Sequence, residues 1–422
     1  MKVLWHVNVE LPMAQIDIPY EKRQAMGGWL TGLAGVLSKN PEIELTIISP
    51  LEHKSHYCRQ VNGVRFIGYY NHNINKYNSN LTDYFKRILK KLSPDVIHIM
   101  GTEFPHCLSM VEACEACGVL DKTVISIQGL VHKCADNMLN DLPWHVAYLP
   151  SLRDIFRRNT PYLQSLDFRR KGVRYEIPAL RKVKYVIGRT DWDRECVMKI
   201  NPSIRYFHND EILRDSFYDD KWSLDKVERH SIFITQAGYP LKGFHIFIKA
   251  LSIIKHKYPD VKVYVAGNTA LRLNRPWFML GRYDRYCLSL IKKNDLRDNI
   301  IFTGMLQEKE MCERFLKTHV FVLPSNIENS SNSLGEAMLL GVPSVAADVG
   351  GNGAFIESGR DGLLYPSGDY ERMAKYIADI FSDSGMAKSI SKRGLERSNS
   401  NHDKNTICDD LWRAYNSILQ ID

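Results

Sequence analysis

The chain has 422 residues, of which 44% are hydrophobic, 25% charged and 10% aromatic. That is ordinary globular usage and enough chain for two or three domains, which excludes disorder, collagen and coiled coil as its main organisation. The formal net charge of +8 is informative only if it is concentrated somewhere.

Short apolar runs alternate with amphipathic stretches from the start of the chain. Residues 3–7, 45–48, 64–68, 96–99, 124–127 and 185–187 read as strands, several apolar on both faces, with helices over 30–37, 84–92 and 108–117. Such alternation predicts βαβ units and a parallel sheet. Residues 57–70 read as a hairpin broken at Asn62-Gly63, a pair suited to the positive φ angles of a tight turn. The charge-dense stretch 214–230 is the best candidate for a linker. A second series follows, with strands over 231–235, 261–266, 300–302, 320–323, 344–347 and 363–365 and helices over 244–257 and 370–381. A last helix over about 402–419 carries Leu411, Trp412, Tyr415 and Ile418 on one side. The expected fold class is α/β: two doubly wound, Rossmann-like domains facing a central cleft, over 1–229 and 230–400, with 401–422 packing back across them.

The positive charge is concentrated between 151 and 190, where eleven basic residues stand against three acidic ones and account for the whole excess. A solvated helix face is the bland reading and an anionic membrane surface, met through the 153–189 stretch, is the functional one. No nucleic-acid motif accompanies the stretch, so nucleic acid is not an expected partner. Nine cysteines, an odd number scattered along the chain, fit reduced thiols. The first residues do not read as a signal peptide, and the uncharged run 337–347 falls far short of the roughly 20 apolar residues that span a bilayer. A cytoplasmic protein, peripheral at the inner face of the plasma membrane if the basic stretch docks there, is the expectation.

Residues 322–338 are the most informative. A strand runs into a small polar loop, and a helix starts near Ser331 or Asn332, where its first N–H groups and its dipole favour an anion such as a diphosphate. Glu328 precedes the helix and Glu336 lies inside its first turns, so one carboxylate can approach a sugar ring and the other a ribose diol. Gly350-Gly351-Asn352-Gly353 follows.

These residues resemble those of family 4 retaining glycosyltransferases of the two-Rossmann-domain (GT-B) type, whose E-x7-E signature matches Glu328 and Glu336. The resemblance extends to Gly27-Gly28, Pro94-Asp95-Val96-Ile97-His98, Lys242-Gly243, the segment 328–351 and Asp361-Gly362-Leu363-Leu364. It implies Glu336 for the nucleotide ribose, Glu328 for the donor sugar, the N–H groups of Ser333 and Leu334 for the diphosphate, and Gly28 for close approach of the N-terminal loop. Two positions depart from the family pattern. No arginine stands about five residues before Lys242, which leaves Lys242 to neutralise the diphosphate with Arg189 as the candidate helper. Gln128 occupies the place where the family often has a histidine, with His132 four residues on.

Asp191-Trp192-Asp193 has the D-x-D spacing of a metal site but reads better as the acidic first turn of a helix. Cys114 and Cys117 lie in a predicted helix with no second pair, so zinc is not expected. The expected function is a retaining, metal-independent glycosyltransferase, with Glu328 and Lys242 catalytic and no cofactor. It would move sugar from a nucleotide diphosphate sugar to a hydroxyl of a glycan or lipid-linked glycan, as in capsular, exo- or lipopolysaccharide synthesis. A sugar-nucleotide epimerase of the same fold and a non-catalytic glycan- or nucleotide-binding protein are the alternatives.

Overall fold

Runs such as Val96–Met100 and Tyr185–Gly188 have no polar face, and every residue of both is buried, as parallel strands covered by helices on two sides require. The computed structural model, which describes residues 1–18, 27–52, 56–271 and 276–420, places them in an eight-stranded sheet. Its strands are β1 (Lys2–His6), β2 (Glu44–Leu51), β3 (Tyr57–Val61), β4 (Val64–Tyr70), β5 (Val96–Met100), β6 (Thr123–Ser126), β7 (Tyr185–Gly188) and β8 (Arg205–His208), in the order β3-β4-β2-β1-β5-β6-β7-β8. All neighbours are parallel except the β3–β4 hairpin. Asn62 and Gly63 turn that hairpin with φ of 50° and 81°, the positive pair that a two-residue turn of matching twist needs.

The second sheet is wholly parallel. It comprises β9 (Ser231–Ile234), β10 (Lys262–Ala266), β11 (Ile300–Gly304), β12 (Val320–Leu323), β13 (Ser344–Asp348) and β14 (Leu363–Pro366), in the order β11-β10-β9-β12-β13-β14. In both sheets the chain reverses its direction of strand addition beside the first strand, and at such switch points the loops after the strands diverge and leave room for a ligand.

Two units result. One comprises Met1–His132, Arg169–Arg214 and Asn401–Asp422, the other Lys133–Phe168 and Asp215–Ser400. This division departs from the expected boundary at 229/230 in two ways. The stretch read as a linker is built into the second unit, because Phe217, Trp222 and Leu224 are buried within it and Trp222 Nε1 donates to Thr318 O at 2.7 Å. Lys133–Phe168 also joins the second unit, where Ser151 Oγ donates to Leu280 O at 3.1 Å and Asp154 accepts from Arg282 N at 2.8 Å. The edge strand β8 was not expected, since Arg205, Tyr206, Phe207 and His208 include no fully buried residue and pair only with β7.

The Lys404–Leu419 helix inserts Ile407, Leu411, Ala414, Tyr415 and Ile418 into the core of the first unit. Tyr415 anchors it through a buried chain of hydrogen bonds. Trp5 Nε1 donates to its hydroxyl at 2.9 Å, and the hydroxyl meets His98 Nδ1 at 2.7 Å. Burial pushes His98 down to about 3, so the ring is neutral; its Nε2 lies 2.5 Å from Ser126 Oγ. Tyr415→Phe removes the shared atom and leaves two buried groups unpaired, at a cost of about 1–3 kcal/mol for each buried group left unsatisfied. Chemical denaturation should show a lower midpoint for the variant with an unchanged slope, and an unchanged midpoint would remove this anchor.

Candidate functional site

After β9 the backbone makes a tight turn over Pro240–Lys242, and after the adjacent β12 it enters the loop 324–331. The two loops lie against each other. Asn326 N donates to Leu241 O at 2.7 Å. Gly243 has φ 64°, and a Cβ there would collide with the carbonyl oxygen of Pro324, so glycine is required by both conformation and space. A third loop, after β13, closes on the same segment: Gly351 N donates to Glu328 O at 3.0 Å, and a Cβ on Gly350, at φ 55°, would collide with that same oxygen.

This backbone aims two side chains at each other. Lys242 Nζ and Glu328 Oε1 are 2.6 Å apart, with the side chains 20% and 13% exposed. Burial disfavours the ammonium form, but attraction to the Glu328 carboxylate outweighs it, Tyr239 adds to it, and the pKa of Lys242 is raised. The lysine is therefore a permanent cation at the carboxyl edge of the sheet.

The Asn332–Leu340 helix begins immediately beyond, with Ser331 as its extended N-cap and Glu336 buried within it. Leu334 N and Gly335 N both donate to Ser331 O, at 2.9 and 3.0 Å. Leu334 N–H is thus engaged inside the first turn, which shifts the expected anion donors from Ser333 and Leu334 to Asn332 and Ser333, the N–H groups at the helix tip. A cation and a helix N-terminus on neighbouring loops can hold an anionic group without a metal.

The remaining residues singled out from sequence belong to the first unit. Gly28 opens the Gly28–Leu37 helix, and a Cβ there would lie 2.7 Å from Arg214 Cγ, so its space is taken by an arginine side chain. Arg189 does not stand ready for a ligand. Its guanidinium pairs with Glu211 at 2.6 Å, both side chains buried, and donates to Ile127 O at 3.1 Å and to Gln128 O and Oε1 at 3.2 and 3.3 Å. Its charge is paired with Glu211, and Gln128 is its hydrogen-bond partner. Asp193 accepts from Arg189 N at 3.0 Å and from Tyr206 Oη at 2.6 Å, which makes the D-x-D spacing a helix-capping arrangement. All nine cysteines are free thiols, and burial pushes Cys114 up to about 12. Among the described residues no group of three or more His, Cys, Asp or Glu is arranged to hold a metal ion.

Two carboxylates escaped the sequence reading. Glu176 is fully buried at the end of a π-helical turn, Gly172–Glu176; it accepts from Val131 N at 2.8 Å, His132 N at 3.1 Å and Thr102 Oγ1 at 3.1 Å, and it binds His132 Nδ1. Gly172 makes room, since a Cβ there would sit 2.7 Å from His132 Cβ. Glu103, beyond β5, receives Asn8 Nδ2 at 3.0 Å. Burial pushes its carboxyl up to about 7, with a bond from its own amide opposing and the charge of Glu176 adding to the rise. Native Glu103 then keeps its proton up to about pH 7, whereas in the unfolded chain it releases it near the ordinary 4.5. Raising the pH through that window favours the unfolded state, at about 1.36 kcal/mol per pKa unit, or a few kcal/mol in all. Relative to the parent, Glu103→Gln should gain stability between pH 5 and pH 8 in denaturant titrations; a difference that does not change with pH would show that Glu103 does not titrate there.

Comparison with known proteins adds a partial family match. Residues 217–397 match the profile described as Glycosyl transferases group 1. Spore coat protein SA of Bacillus subtilis (strain 168) is 26% identical over 180 residues, which are 42% of this chain and 45% of that protein, so the similarity spans less than half of the relative's length. Sucrose-phosphate synthase from Thermosynechococcus elongatus superposes with a TM-score of 0.69 at 14% identity, covering 100% of both chains. Anabaena Alr3699/HepE, solved in complex with UDP and glucose, superposes with a TM-score of 0.66 at 15% identity over 98% of this chain and 99% of its own. Identities this low speak for fold alone. Residues 217–397 thus resemble the glycosyl transferases group 1 family, and the two parallel α/β units have the GT-B fold.

Proposed function

We propose that the protein is a retaining glycosyltransferase that moves a sugar from a nucleotide diphosphate sugar to a hydroxyl of a glycan acceptor, without a metal ion. The observation that carries the reading is the Lys242–Glu328 pair, set beside the Asn332–Leu340 helix start in the part of the chain that matches the family. An incoming diphosphate would draw the ammonium of Lys242 and meet the N–H groups of Asn332 and Ser333, while Glu328, released from its partner, would accept hydrogen bonds from sugar hydroxyls. Glu336 would accept from the ribose diol. The binding of UDP and glucose by Alr3699/HepE makes a uridine nucleotide the first donor to try.

The chemistry asks little of a protein nucleophile. The bond from the sugar C1 to the diphosphate oxygen breaks, and the acceptor oxygen forms a bond to C1 on the face the diphosphate leaves. The acceptor proton passes to a diphosphate oxygen. Lys242 stabilises the charge that grows on the leaving group, the kind of electrostatic contribution whose loss costs about 10²–10³ in turnover. A group 1 glycosyl transferase match favours transfer over epimerisation or binding alone.

Incubation with UDP-linked and GDP-linked sugars, followed by proton NMR of the product, tests the reading directly. Donor turnover with the anomeric configuration kept is expected, and inversion or an epimerised donor would refute it. Glu336→Gln should weaken nucleoside diphosphate binding by one to two orders of magnitude in calorimetry, the loss of a charge-assisted hydrogen bond worth about 1.5–3 kcal/mol. Lys242→Gln should depress turnover more than binding. Activity should survive EDTA; abolition by the chelator and rescue by Mn²⁺ or Mg²⁺ would overturn the metal-free mechanism.

A further inference from the structure

The Lys133–Phe168 segment of the second unit exposes large apolar side chains at a density unusual for a water-facing surface. Trp144, on the Trp144–Tyr148 helix that contacts the Arg282–Lys293 helix, is 67% exposed; on the short Leu152–Arg157 helix Phe156 is 86% exposed, with Leu152 and Ile155 exposed beside it. The Trp277–Met279 turn packs against this helix and adds the exposed Trp277 and Phe278. Isolated exposed leucines need no explanation, but a contiguous apolar patch marks a surface that meets something.

The patch is held rigid from beneath by polar contacts. Asp154 accepts from Ser151 N and from Arg282 N, each at 2.8 Å, so one carboxylate closes the starts of two helices. Arg153 Nη1 donates to Asp284 Oδ2 at 3.0 Å. Across residues 142–163 and 276–285 the charged residues are five arginines and two aspartates, and those aspartates, Asp154 and Asp284, are both buried. The exposed charge is therefore of one sign. Arg157 and Arg158 border the apolar side chains, and the guanidinium of Arg285 lies 5.0 Å from the centre of the Trp277 ring.

We propose that this face docks the protein on an anionic membrane surface, with Trp144, Phe156 and Phe278 entering the headgroup boundary and the arginines facing lipid phosphates. Tryptophan favours that boundary because one end of it is apolar and the other can remain wet. Arginine stems cover apolar surface while their heads reach the phosphates. A second copy of the chain fits less well, since a face-to-face contact would set arginine against arginine. The face takes in only the first part of the basic 153–189 stretch; its later residues Arg169, Arg170 and Lys171 belong to the first unit, and Lys171 Nζ donates to Asn75 Oδ1 at 2.8 Å.

Co-sedimentation of the full chain with phosphatidylglycerol-containing and pure phosphatidylcholine vesicles tests the proposal, with no sugar nucleotide present. The parent chain is expected to bind the anionic vesicles preferentially. Trp144→Ser/Phe156→Ser should weaken that binding by about ten-fold or more, and Arg157→Gln/Arg158→Asn should erase the preference for anionic lipid. Neutralising Arg169, Arg170 and Lys171 should change little. Both double variants should keep the parent's melting temperature and its donor turnover, which separates failure here from failure of the enzymatic reading. Absence of vesicle binding, equal binding to both lipids, or full binding by Trp144→Ser/Phe156→Ser would overturn the proposal. So would a concentration-dependent dimer that Phe156→Ser dissolves in the absence of lipid binding, which would mark the patch as a protein interface.

Discussion

Two carbonyl oxygens organise the second unit's site. Those of Pro324 and Glu328 occupy the space that a side chain would need at Gly243 and Gly350. Because each glycine also has positive φ, three loops from adjacent strands can close on one another at backbone distance. The lysine and the glutamate then meet from a frame that neither of them has to hold in place. Without that frame, a 2.6 Å ion pair at the rim of a sheet would contribute little, since exposed pairs are offset by the entropy of fixing two long side chains. With it, Lys242 stays charged in a water-poor place, the condition under which a cation acts strongly on a departing anion.

The first unit handles buried charge differently. Arg189 and Glu211 neutralise each other, and Glu176 satisfies four donors from two segments of chain. Such groups define a single arrangement more than they stabilise it, since a buried ion pair repays its desolvation only with good geometry and further hydrogen bonds. Glu103 stands apart. It lies beyond the carboxyl end of β5, where burial and the nearby charge of Glu176 hold its proton to a higher pH against the hydrogen bond from Asn8.

Much of this was legible in the residues. Strand runs such as 96–99 and 320–323 show because burial on both faces leaves no polar alternation to confuse with a helix, and Asn62-Gly63 shows because few pairs tolerate two positive φ angles. A family signature singles out Glu328 and Glu336, and the resemblance adds Lys242; nothing local says that Lys242 meets Glu328 across two loops. Averages misled where single residues decided: a charge-dense stretch concealed Phe217 and Trp222, which tie it into the second unit. Glu176 was hidden inside the most basic part of the chain, and its partners come from segments that only the fold brings near. The pairing of Arg189 was not legible because the carboxylate that neutralises it, Glu211, comes from the chain beyond β8.

The chain passes between the two units at 132/133, 168/169, 214/215 and 400/401. In the order of synthesis, the segment 133–168 emerges long before the sheet it belongs to, and the sheet of residues 2–208 waits for Tyr415 to cover Trp5 and His98. Neither unit can therefore be finished on the ribosome before the other has largely been made, and no single cut releases either one whole. The two units of this chain are distinct in their contacts but interleaved in time.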